Sequence, residues 1–276
     1  MLALALALGM AAHAMAAEDP YARRRAAEPV RPNSYSPHLR ANALNAERYV
    51  VKGVCERDGI REIAQILQSS AFEEMWAFLP RARDSDDCEW HEIGRDERDK
   101  RSGATLRVDM GYLMELIAEH THVQLVHFHP RRFFECVSRD NCPQRAATAA
   151  PIDQRWITDL VFAMPSPSDV HFMMNVTSRF FRRHQGHGTI RHKVVTPYGV
   201  VDYGLTEQGL AKYDAERLGR SEGLYIAWVA ASALDDDRVG QFLKENPGSL
   251  GAAVRRLAQA LNTQFLRVVH TAPPTP

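Results

Sequence analysis

Two histidines one residue apart, His127 and His129, close the apolar run "QLVHF", and Pro130 stops it. Alternate side chains of a strand share a face, so both imidazoles can reach one cation while Phe128 points the other way. A hydrolytic zinc takes three protein ligands and keeps a position for water, so a third donor must come from elsewhere in the chain. The best donor lies in "PSPSD", where Ser166 is followed three positions later by Asp169. The same residues make a strong helix start, with Ser166 as N-cap, Pro167 at the first helical position and Asp169 at the third. Both roles can hold together, because a capped first turn fixes Asp169 and can aim its carboxylate at a neighbouring strand end. Histidine number carries little weight, since His120, His122, His184, His187 and His192 are scattered around the pair. An isolated H-x-H is commonly a hydrogen-bonded pair at a strand end. The weight lies in the joint occurrence of the two motifs.

His127-x-His129-Pro130 followed by Ser166-x-x-Asp169 resembles the signature of the JAMM (MPN-type) zinc metallopeptidases. The resemblance implies zinc held by His127, His129 and Asp169, with Ser166 helping to stabilise a tetrahedral intermediate and an upstream glutamate handling protons. That glutamate opens a strand after the first helix, and in "FEEMWAFLP" Glu74 is the better match, with Glu73 the alternative. The implied fold is α+β, an MPN-type mixed sheet flanked by helices, over roughly residues 47–205. The implied reaction is hydrolysis of a peptide or isopeptide amide bond, in which Glu74 takes a proton from the attacking water and passes it to the leaving amine. Two departures stand out. Residues 131–165 are a far longer connector than the family uses, and the glutamate strand lacks the family's glycine-rich continuation.

The elements that must position these groups are partly visible. "RYVVKGV", "EEMWAFLP" and "VQLVHF" read as strands, and "TIRHKVVTPYGVVDYGL" alternates around a turn as a β-hairpin. "DGIREIAQILQSS" carries Ile60, Ile63, Ile66 and Leu67 at helical spacing behind Asp58, and "DMGYLMELIAEH" carries Met110, Leu113, Met114 and Ile117. "SPSDVHFMMNVTSRFF" is a helix, while "DQRWITDLVFAM" fits helix or strand. The charged stretch "RARDSDDCEWHEIGRDERDKRSG" reads as an exposed loop or ragged hairpin. The expected organisation is a signal peptide at 1–17, a linker at 18–36, a catalytic domain at 37–205 with an insertion at 131–165, and a helical C-terminal extension at 206–276.

The signal rests on "MLALALALGMAAHAMAA", an apolar stretch too short to span a membrane and followed by small residues. It implies an exported protein, periplasmic or secreted, with no stable membrane span once cleaved. In that setting Cys136 and Cys142 suit a local bridge, with Cys55 and Cys88 as the second pair, although four cysteines permit other connectivities. Lys+Arg and Asp+Glu both number 34, which argues against nucleic acid as partner and leaves a peptide or protein substrate. The alternative reading is a non-catalytic, MPN-like protein-binding module with structural zinc or no metal.

Overall fold

A computed structural model describes residues 50–52, 54, 56–67, 73–80, 88–96, 106–138, 152–219, 236–246 and 248–273. The expected signal peptide and linker, together with Cys55 and Cys142, lie outside these residues. In chain order the elements are β1 (Val50–Lys52), α1 (Glu56–Leu67), β2 (Glu73–Pro80), β3 (Cys88–Asp96), β4 (Arg107–Val108), α2 (Met110–Glu119) and β5 (His122–Phe128). There follow α3 (Glu135–Ser138), α4 (Gln154–Phe162), α5 (Pro167–Arg183), β6 (Thr189–Thr196), β7 (Gly199–Leu205), α6 (Glu207–Gly219), α7 (Asp236–Glu245), α8 (Leu250–Leu261) and β8 (Leu266–Thr271).

The fold is α+β. The described strands form one eight-stranded mixed sheet in the order β1-β3-β2-β5-β6-β7-β8, with β4 paired to β3. Only β5 and β6 run parallel among the described pairs. A parallel pair needs a crossover connection, and here α3, α4 and α5 supply it. This places α4 and α5, between the histidines and the rest of the parallel pair, on one face of the sheet.

Strand parity decides what each face sees. β2 is central and buried from Glu73 to Leu79, which is why it reads as a continuous apolar run. Trp76, Phe78, Trp90, Val126, Phe128 and Val195 pack with Ile60 and Ile63 of α1. Met75, Ala77, Ile93 and Leu125 face the other way, against Leu113, Leu116 and Ile117 of α2 and Val176 and Phe180 of α5. A third cluster on this second side joins Leu160 of α4, Met173 of α5, Leu243 of α7 and Leu257 of α8 to Val194, Tyr203 and Val268. Burying each large apolar side chain stabilises by roughly 1.5–3 kcal/mol, so the scaffold can carry polar groups that are costly to desolvate.

Four expectations need correction. The charged stretch after β2 contains β3, an internal strand on which Cys88, Glu89, Trp90, His91 and Ile93 are buried. Its polar side chains are buried because they satisfy one another: His91 Nε2 lies 3.0 Å from Glu89 Oε2, and His91 Nδ1 lies 2.6 Å from the Tyr112 hydroxyl. The tail after 206 is not wholly helical, since α8 stops at Leu261 and β8 pairs antiparallel with β7. Asn262 and Thr263 make the break: Val268 N–H donates to Asn262 Oδ1 at 3.0 Å, and Leu266 N–H donates to Thr263 Oγ1 at 3.2 Å. Cys88 is a buried thiol, so the Cys55–Cys88 bridge is not made. Cys136 is disulfide-bonded, to a cysteine outside the described residues. On α2 the buried residues are Leu113, Leu116 and Ile117, while Met110 is exposed.

Candidate metal centre

His127, the penultimate residue of β5, lies on the α5 side of the sheet, paired with Met75 on one flank and Val194 on the other. His129 follows just beyond the strand, held by its backbone N–H donating to Val195 O at 3.0 Å. The rings meet edge to face with centroids 4.5 Å apart. As the alternation implies, Phe128 between them enters the α1 core.

The two glutamates of β2 stand on opposite faces of the sheet, the reverse of the expected placement. Glu74 pairs with Phe128 and so projects to the α1 side, where its Oε2 accepts from Trp76 Nε1 at 3.1 Å. Glu73, one residue earlier, has the opposite parity, and its Oε2 lies 3.6 Å from His127 Nε2. The assignment of Glu74 to the site is therefore corrected to Glu73. Glu73, His127 and His129 are all buried and offer ligand atoms within 4.8 Å of one another, a group that could hold a metal ion.

Asp169 arrives from the start of α5. Ser166 is its N-cap: Asp169 N–H donates to Ser166 Oγ at 3.2 Å, and Ser166 N–H donates to Asp169 Oδ2 at 2.7 Å, a reciprocal capping box. The box occupies Oδ2 and leaves Oδ1 directed at His127 Nδ1, 3.1 Å away. Ser166 is itself exposed, and as an acceptor in the cap it still has its hydroxyl proton to donate. His171, two residues on from Asp169, is exposed.

His129 Nδ1 lies 2.7 Å from the carbonyl oxygen of Phe162, the last residue of α4. A carbonyl only accepts, so Nδ1 carries the proton and the neutral ring presents Nε2 as its ligating atom. The position of His127 is different: it is buried, and neither of its ring nitrogens makes an aligned hydrogen bond. The 3.1 Å approach to Asp169 is thus a close contact of opposite charges without hydrogen-bond alignment. Asp169 Oδ1 faces His127 Nδ1 while Glu73 Oε2 faces His127 Nε2, so the two carboxylates meet different nitrogens of one ring. Glu73, His127 and His129 accordingly fit a metal ion, with Asp169 beside them.

The electrostatics agree. Burial by itself would depress the His127 imidazole, but Asp169 and Glu73 outweigh it and raise the group to about 9. Burial would raise Asp169, yet His127 first, then His129 and the Ser166 hydrogen bond, hold it down at about 2. Without metal the His127 imidazole is held protonated between two carboxylates. His192, deeper on the same face, is the reverse case: burial, only partly offset by Asp169, lowers it to about 3 and keeps it neutral. Its Nε2 lies 3.2 Å from Thr177 Oγ1.

The structure thus gathers His127, Asp169 and Glu73 into contact and brings His129 beside them, while Glu74 lies across the sheet. Glu73 was readable only as the less favoured member of a pair. Phe162 leaves no sequence signal, since it acts through its backbone. Comparison of the chain with family models, with curated proteins and with solved structures finds no match.

Proposed function

We propose that this protein is a zinc-dependent hydrolase of a peptide or isopeptide amide bond. The observation that carries the reading is the buried His127, whose ring nitrogens have no aligned hydrogen bond although Asp169 and Glu73 flank them. A buried imidazole between two carboxylates marks a place where a cation, proton or metal, balances the charge. His127 and His129 would hold the ion with Asp169 as third ligand, which requires the Asp169 carboxylate to close on the pair, since the ligand atoms already within 4.8 Å of one another are those of Glu73, His127 and His129. Zinc supplies a Lewis acid that lowers the pKa of a water and polarises the substrate carbonyl. Glu73 accepts the proton of the attacking water and returns it to the leaving amine. Ser166 donates its hydroxyl to the developing oxyanion while Asp169 N–H continues to use its lone pair. The apolar start of the chain supports an exported protein, periplasmic or secreted, acting on a peptide or on a protein partner there. No helix among the described residues is long and apolar enough to cross a membrane.

A second reading, a non-catalytic MPN-like module that binds a protein partner around a structural metal, is favoured by one feature. Glu73, His127, His129 and Asp169 are each 8% exposed or less, and a catalytic ion must admit substrate. Zinc content and hydrolysis of a peptide library, measured for wild type and Glu73→Gln, separate the two. Catalysis predicts that the variant keeps its zinc and loses turnover by about 10²–10⁴-fold. Zinc binding without turnover in the wild type would leave the binding module.

A further inference from the structure

The described parts of the long connector, residues 131–138 and 152–165, pack beside the centre. Their helix α4 ends on the carbonyl that takes the His129 Nδ1 proton. One turn earlier in α4, Asp159 is fully buried. Its Oδ1 accepts from Glu135 N–H at 2.6 Å, and its Oδ2 accepts from Cys136 N–H at 3.1 Å and from the Tyr198 hydroxyl at 2.6 Å. These donors come from two places: the first turn of α3, which carries Glu135 and Cys136, and the turn between β6 and β7, which carries Tyr198. Phe134 fills the space between, edge on to Tyr198 at 5.6 Å and to Phe162 at 6.5 Å between centroids. Burial and Asp159 together push the Tyr198 phenol far up, so its hydroxyl remains a donor.

We propose that Asp159 is a positioning residue of the metal centre: it ties α3, α4 and the β6–β7 turn together, so that the Phe162 carbonyl holds His129 in one tautomer and presents Nε2 to the ion. The inference rests on the zinc reading of the site. It gives the connector a task, since the carbonyl that fixes one ligand belongs to the segment that most lengthens the chain between the two motifs. Hydrogen-bond partners of metal-bound histidines typically carry 10–100-fold of metal affinity.

The test uses the full chain, with chelator competition for zinc affinity and long-range ¹H–¹⁵N correlation of the His129 ring in metal-free protein. Asp159→Asn and Tyr198→Phe remove the clamp to different degrees. Leu257→Ala, in α8 and the same apolar cluster, is a destabilised control. Asp159→Asn is expected to weaken zinc by about 10–100-fold and to turn a single Nδ1–H tautomer of His129 into a mixture. Tyr198→Phe shifts both readouts less and carries the test if Asp159→Asn does not fold. Leu257→Ala lowers the melting temperature and leaves both readouts unchanged. Wild-type affinity with an unmixed tautomer in the clamp variants would overturn the inference, as would an equal loss in Leu257→Ala. Should the wild type bind no zinc, the proposed function fails, and the tautomer readout alone decides the role of Asp159.

Discussion

Glu73 and Glu74 are adjacent, both buried, and live in different chemical worlds. On the α1 side Glu74 meets an indole N–H among Trp76, Phe78, Trp90 and Phe128, a face where apolar packing surrounds the polar group. On the α5 side Glu73 meets an imidazole that is itself flanked by a second carboxylate, together with His129 and, deeper in, His192. A one-residue step in a strand moves a side chain from one face to the other. The difference teaches where to look for function: in burial of groups whose bonding is left incomplete, as at His127, and not in burial of charge as such.

The largest contrast should appear in turnover. Glu73→Gln lowers it by about 10²–10⁴-fold, whereas Glu74→Gln, which retains an acceptor oxygen for the Trp76 indole, leaves it near wild type. Steady-state rates on a cleaved peptide check this, and equal losses in both variants would erase the distinction between the faces.

Next comes acid stability on the α5 side. The His192 imidazole is lowered to about 3 in the folded protein, against 6.5 in its ordinary state. Between those values the unfolded chain binds a proton that the native state refuses, so this group's contribution falls as pH drops through the window and is level above 6.5. Urea unfolding of metal-free wild type and His192→Gln should differ in pH dependence by on the order of 1–4 kcal/mol across it. Parallel pH profiles would contradict the burial account.

The α1 side should respond in stability alone. Glu74→Ala removes the acceptor of a buried indole N–H and costs about 1–3 kcal/mol. Gly59→Ala in α1 would put a methyl 2.4 Å from Trp90 Cε2, an overpacking worth about 1–3 kcal/mol. Thermal melts measure both losses, and zinc affinity should stay unchanged; a change would mean that the two faces are coupled through the sheet.

These two faces also mark how far the sequence could be read. The capped start of α5 was legible because a capping box is local, as was the shared face of His127 and His129 because strand parity is local. Choosing Glu73 over Glu74 required the pairing of Glu74 with Phe128, a register between strands far apart in the chain. β3 was hidden by its charges, which disappear into the Glu89–His91–Tyr112 chain only once α2 has docked. β8 was hidden by the helical period of α8 continuing towards it, although Asn262-Thr263 and the β-branched pair Val268-Val269 were faint signs of the break. Asp159 carries a sequence signal of its own, a lone acid among Trp156, Ile157 and Leu160. An acid on an apolar helix face must find donors when the helix is buried.

Zinc stoichiometry combined with X-ray absorption on the purified chain bears most directly on all of this. One zinc per chain should be found, with two imidazole nitrogens and a carboxylate oxygen at about 2.0–2.2 Å, and it should be lost in Asp169→Asn and in His127→Ala. Wild-type protein that takes up no zinc, or a site of undiminished affinity after His127 and His129 are both replaced by alanine, would contradict the metal centre.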